Sequence, residues 1–148
     1  ADGEQAQVAR LVGQNLLVGR FGLQVLDVAF FTFHTALVFF NLFGWAWPKW
    51  RKWNLATLAA TAFSWFVMGI WFGWGYCLCT DWHFQVRREL GYVDDSPTYV
   101  HLMIKLISGA DMDPNFVQMI TASGFIFGLL MSLITNLRDL RSRRRQTA

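Results

Sequence analysis

Several signatures of catalysis are missing from this 148-residue chain. It has no glycine-rich phosphate loop, no Ser/His/Asp set and no strong metal motif, so the common routes to phosphoryl transfer, acyl transfer and metal-assisted hydrolysis have no residues to run on. Charge is scarce at 16% of residues, and it collects at the ends of apolar runs. Nothing interleaves basic and aromatic residues on an exposed face, which excludes nucleic acid as a partner. Cysteine is limited to Cys77 and Cys79, and no repeat or low-complexity tract occurs apart from the arginines 141, 143, 144 and 145. The chain does not begin with Met, which implies a processed or trimmed amino end, and residues 1–20 lack the compact apolar core of a signal peptide.

What is abundant is apolar and aromatic: 54% of residues are hydrophobic, with eight Trp and fourteen Phe. Three runs have the length of about twenty residues that a bilayer demands, at 25–47, 55–76 and 114–137. The first ends at Pro48 and the cations Lys49, Arg51 and Lys52; the third opens with Asp113 and Pro114, a capping residue and a first-turn proline. The expected fold class is an all-α integral membrane protein with three transmembrane helices and short interfacial helices, all in one membrane domain. Residues 1–23 carry a weak stripe of Val8, Leu11, Val12 and Leu16, which predicts an interfacial segment. The loop 80–112 predicts two short amphipathic helices, too short to span. In the first, Trp82, Val86 and Leu90 form the apolar face, while Arg87, Arg88 and Glu89 turn to water; Gly91 closes it. The second starts at Ser96 and Pro97 and ends at Gly109, with His101 and Lys105 one turn apart as snorkelling residues.

Positive charge orients the chain. The loop after the first run and the tail 138–148 are basic, whereas the long loop sets Arg87, Arg88 and Lys105 against Asp81, Glu89, Asp94, Asp95, Asp111 and Asp113. Positive-inside counting then places the tail in the cytoplasm and the amino end outside. Trp45, Trp47, Trp50 and Trp53 mark one interface and Trp71, Trp74 and Trp82 the other.

The candidate sites are polar residues in apolar surroundings. Asp27, His34 and Asn41 recur every seven residues, which puts them on one helix face inside the membrane. In one reading His34 is an axial ligand for a haem or chlorophyll-type pigment, or relays a proton with Asp27; in the other the stripe bonds a neighbouring helix. Two turns, about 10 Å, keep Asp27 and His34 from bonding directly. Cys77, Cys79, Asp81 and His83 alternate at the outer end of the second run; an extended backbone would gather them at one site, whereas a helix from Thr80 would scatter them. A Cys77–Cys79 disulfide would be strained. Gly69 and Gly73 form a small-residue surface for helix packing.

The order HTALVFFNLFGW, WPKWRKWNLATL and SWFVMGIWFGWGYCLCTDWHFQVRRELGY resembles an uncharacterised family of small bacterial multi-pass membrane proteins, DUF2784-like, over roughly 34–137. The family pattern is a Cys-Pro-Leu-Thr box, a polar residue and an Arg-rich helix ending in Gly. Cys77, Thr80, Arg87, Arg88, Gly91 and His34 match it. Leu78 replaces the proline, Cys79 is an added thiol, and His83 stands where many relatives have glutamate, which argues against a shared metal site in this box. The resemblance implies the architecture and no activity. The expected function is a non-catalytic accessory subunit of a larger inner-membrane complex, with lipid and other membrane subunits as partners. The alternatives are a haem- or pigment-bearing subunit of an electron-transfer or photosynthetic complex, and a thiol redox protein using Cys77 and Cys79.

Overall fold

A backbone surrounded by hydrocarbon must satisfy its own hydrogen bonds, and the apolar runs do so as helices. The computed structural model describes residues 2–94 and 96–146, and the side chains of 19–94, 96–142 and 144–146. The expected stripe from Val8 to Leu16, Asp95, the side chain of Arg143 and the last two residues of the tail lie outside what is described. Among the described residues there is no strand, and the fold is all-α. Helix α1 spans Asp2–Phe43 without a break, about 63 Å at 1.5 Å per residue and so roughly twice a hydrocarbon core. A 3₁₀ turn, Gly44–Ala46, leads into α2, Arg51–Ala62. That helix continues through a π-helical turn, Phe63–Met68, into α3, Gly69–Phe72. Two short helices follow, α4 over Leu78–Glu89 and α5 over Tyr99–Ser108, before α6, Pro114–Gln146.

Three stretches are long and apolar enough to cross a membrane: Gly19–Ala46, Arg51–Phe72 and Pro114–Gln146. Each overlaps one of the expected runs, starting earlier in the first two and ending later in the third, because backbone bonding carries a helix past its apolar segment. The three run up, down and up, so one end of the bundle carries Asp27, Cys77, α4 and α5, and the other carries Pro48, the start of α2 and the end of α6.

Close approach in the middle depends on two glycines of α6. A Cβ on Gly128 would lie 2.6 Å from the Asn41 carbonyl oxygen, and one on Gly124 would lie 3.6 Å from Leu42. This Gly-xxx-Gly pair seats α6 on α1, the small-residue contact that lets membrane helices touch backbone to backbone. Gly69 and Gly73 act differently. Gly69 packs against the backbone of Trp74 in its own return turn, and Gly73, at φ 101°, closes α3. Gly73 and Gly75, both at positive φ, reverse the chain so that Cys77 comes back toward α1.

The apolar interior is thin. Leu58, Tyr99, Leu102 and Val117 are its buried hydrophobic members, while aromatic and aliphatic side chains elsewhere face outward. Polar groups hold the inside together. Fully buried Asn54 donates to the Phe40 carbonyl at 2.7 Å, and the Trp45 indole donates to Leu42 at 2.8 Å, so side chains satisfy carbonyls left open at the end of α1. Thr57 donates to the Asn41 side-chain oxygen at 2.7 Å, and the Asn41 amide donates to Thr61 at 3.0 Å.

Candidate functional site

The densest polar cluster lies where α4 and α5 fold over α1. Helix α4 places His83 and Arg87, one turn apart, on the face that looks at α1. His83 is fully buried, and its Nε2–H donates to Asp27 Oδ1 at 2.7 Å. Arg87 Nη1 reaches the same oxygen at 3.3 Å. Its remaining fork is bidentate to Asp94, with Nε to Oδ2 at 2.6 Å and Nη2 to Oδ1 at 2.9 Å. The turn that returns Asp94 is a Schellman closure: Gly91 N–H donates to the Arg88 carbonyl and Tyr92 N–H to the Arg87 carbonyl, with Gly91 at φ 89°. Tyr92 stacks beneath the Arg87 guanidinium, 4.5 Å from ring centroid to Cζ. The Asp94 hydrogen bonds, against the cost of burial and with help from Asp27, hold the guanidinium above even its ordinary high pKa, so it is a fixed cation.

This arrangement departs from the expected faces of α4 at two residues. Arg87 was predicted to face water, yet it is 7% exposed, whereas Trp82 is 49% exposed. The helical spacing of Trp82, Val86 and Leu90 marks an apolar stripe, but at a membrane surface such a stripe can face lipid. Arg87 then turns inward because Asp27 waits there, while Arg88 and Glu89 face outward as expected.

Two turns deeper than Asp27, His34 is buried and its ring lies flat against Tyr99, 3.8 Å between centroids and 2° between planes. Tyr99 donates to the Phe31 carbonyl at 2.7 Å and pairs with the Thr35 hydroxyl at 2.8 Å, so α5 is locked onto α1. Burial raises the Tyr99 pKa, partly offset by Thr35, and keeps the phenol a donor. His34 Nε2 faces Cys77 Sγ at 3.9 Å. A porphyrin iron bound at that nitrogen would have to displace Cys77, and Tyr99 already covers one ring face. The His34 contact therefore pairs an imidazole with a thiol. Nδ1 of both His34 and His83 is buried without a hydrogen-bond partner.

The alternating set at the start of α4 fans out because the helix begins at Leu78. Cys77 faces His34 and His83 faces Asp27, while Asp81 accepts from the Tyr76 hydroxyl at 3.3 Å and from Gln85 at 3.0 Å. Both cysteines are free thiols; burial, and then Cys77 beside it, push the Cys79 thiol up. Among the described residues no group of three or more His, Cys, Asp or Glu is placed to hold a metal ion. His101 is buried rather than at the surface, with Nδ1 accepting from Ser96 at 3.0 Å and Nε2 donating to the Met112 carbonyl at 2.8 Å.

The stripe of Asp27, His34 and Asn41 thus finds its partners within this chain: in α4, in Cys77 and Tyr99, and in α2. Sequence reasoning missed Arg87, Asp94 and Tyr99 as its partners. The four-residue spacing of His83 and Arg87, the same as a helix turn, was the available signal for two of the contacts.

No curated protein and no solved structure matches this chain. A family model described as Protein of Unknown function (DUF2784) matches residues 24–137, which include Asp27, His34, Cys77, His83, Arg87 and Tyr99, and the chain belongs to that family.

Proposed function

We propose that this chain is a non-catalytic accessory subunit of a larger membrane complex, in a bacterial inner membrane with its basic tail in the cytoplasm. One observation carries the reading: Asp27, Asn41 and Asn54 make their hydrogen bonds inside the bundle, while large apolar side chains cover the outward surface. Ile70, Trp71, Phe72 and Trp74 are each 63–77% exposed and make an aromatic ridge beside the Cys77 turn. Lipid solvates such a ridge, and so does a neighbouring subunit, without any change inside the bundle. Positive-inside counting supports the orientation, with Lys49, Arg51, Lys52 and Arg138 at one end. The test is gentle extraction of tagged chain from native membranes, followed by native electrophoresis. The expected result is migration in an assembly much larger than the chain; a species of monomer size in every mild detergent would overturn the proposal.

A second reading, thiol chemistry at Cys77, is favoured by the 3.9 Å contact with His34. It predicts that Cys77 is alkylated faster than Cys79 and that His34→Ala slows Cys77 without changing Cys79. Equal rates in the parent chain would remove this reading.

A further inference from the structure

We propose that the cleft between the start of α2 and the end of α6 binds the phosphate of an anionic phospholipid headgroup. The cleft encloses about 460 Å³ and is lined by Lys49, Arg51, Lys52 and Asp139, with Leu55 and Leu140 among its apolar walls. Three cations face one carboxylate. Arg51 is pinned in place, with Nη1 on Asp139 at 2.8 Å and Nε donating to the Trp45 carbonyl at 3.1 Å. Neither Lys49 nor Lys52 is ion-paired among the described residues, and Lys49 Nζ lies 5.6 Å from the centroid of the Trp50 ring. The start of α2 adds to this field: no side chain caps it and its first turn contains no acid, so its positive end faces the cleft uncompensated.

Position decides which anion fits. The cleft sits at the ends of two candidate spans, beside exposed Trp47, Trp50 and Trp53, the depth at which tryptophans mark the headgroup layer. Leu55, one turn into α2 from Arg51, continues its wall toward the hydrocarbon, where an acyl chain would lie. A basic pocket between helices at this depth selects a lipid phosphate over a soluble one because the acyl chains hold it there at high local concentration. At the opposite end of the bundle the buried cation Arg87 is already saturated by Asp27 and Asp94.

The experiment is native mass spectrometry of the full chain from neutral detergent, titrated with phosphatidylglycerol and, separately, phosphatidylcholine. The parent chain should retain one phosphatidylglycerol and discriminate against phosphatidylcholine. Lys49→Ala with Lys52→Ala should weaken phosphatidylglycerol retention by about ten- to thirty-fold, from the usual contribution of a lysine near an anionic surface. Arg138→Gln with Arg141→Gln removes the same charge from exposed positions outside the cleft lining and should change retention less than about three-fold by the same reasoning. Asp139→Asn removes the carboxylate that competes with the phosphate and should tighten retention. Equal losses in the two double variants, weaker retention in Asp139→Asn, or displacement of the lipid by inorganic phosphate would each overturn the proposal. Circular dichroism of each variant confirms that the helices are intact.

Discussion

The two ends of the bundle hold the same kinds of charged residue and use them in opposite ways. At the Cys77 end, two short helices fold over α1, and Asp27, His83, Arg87 and Asp94 are desolvated together into one network. At the Pro48 end, only a tight turn joins α1 to α2, so Lys49 and Lys52 stay open beside the Arg51–Asp139 pair. A charge costs little at a membrane surface and much inside it, so what covers a residue matters more than its type. The covered end is built for rigidity and the open end for a ligand.

The sharpest way to break this contrast is Asp27→Ala, which strips the carboxylate from two buried donors at once. It should lower stability by about 1–3 kcal/mol, the usual cost of leaving a buried donor unsatisfied, because Arg87 keeps its bidentate pair with Asp94. Unfolding in mixed detergent micelles would measure it, and a loss below about 1 kcal/mol would mean the network is solvated after all. The seam between the ends comes next. Gly128→Val drives a side chain against the Asn41 carbonyl, where even a Cβ would sit 2.6 Å away, and should cost about 1–3 kcal/mol. Gly124→Ala, with a Cβ at ordinary contact distance, should be tolerated; equal damage from both would show that the seam is not set by backbone contact. Asn41→Leu removes the bonds to Thr57 and Thr61 and should cost roughly 1 kcal/mol, since each hydrogen bond between membrane helices contributes about 0.6. At the open end, Lys52→Ala should leave thermal stability within about 0.5 kcal/mol, because an exposed and unpaired charge holds nothing in place. The smallest effect is kinetic. With its pKa raised by burial, Cys79 carries less thiolate at any given pH than a free cysteine, so its alkylation should be slower at mildly alkaline pH and its pH profile displaced upward. A profile matching a free thiol would show that Cys79 is not desolvated.

Much of this was legible in the chain. The seven-residue spacing of Asp27, His34 and Asn41 already required a covered face, because carboxylate, imidazole and amide cannot look at lipid. Which groups cover it was not legible. His83 and Arg87 meet Asp27 from more than fifty residues away, through a turn made by Gly73 and Gly75 that no periodicity reports. Arg87 was read outward for the opposite reason. The apolar stripe on α4 is real, yet a helix lying at a membrane has two candidate apolar sides, lipid and protein, and periodicity alone does not separate them. Gly69 and Gly73 drew attention as a packing surface, although the same small-residue spacing at Gly124 and Gly128 is the one that meets a neighbouring helix.

By itself, then, the sequence determined the all-α class, the three spans and the polar face of the first, because length, hydropathy and helical period are properties of local segments. The tertiary structure alone decided that this face is covered by the chain's own α2, α4 and α5, that His34 meets a thiol rather than standing free, and that one end of the bundle is sealed while the other is open. Those outcomes depend on where the chain returns after each turn, and contacts between distant residues are set by packing and charge in three dimensions rather than by any spacing along the chain.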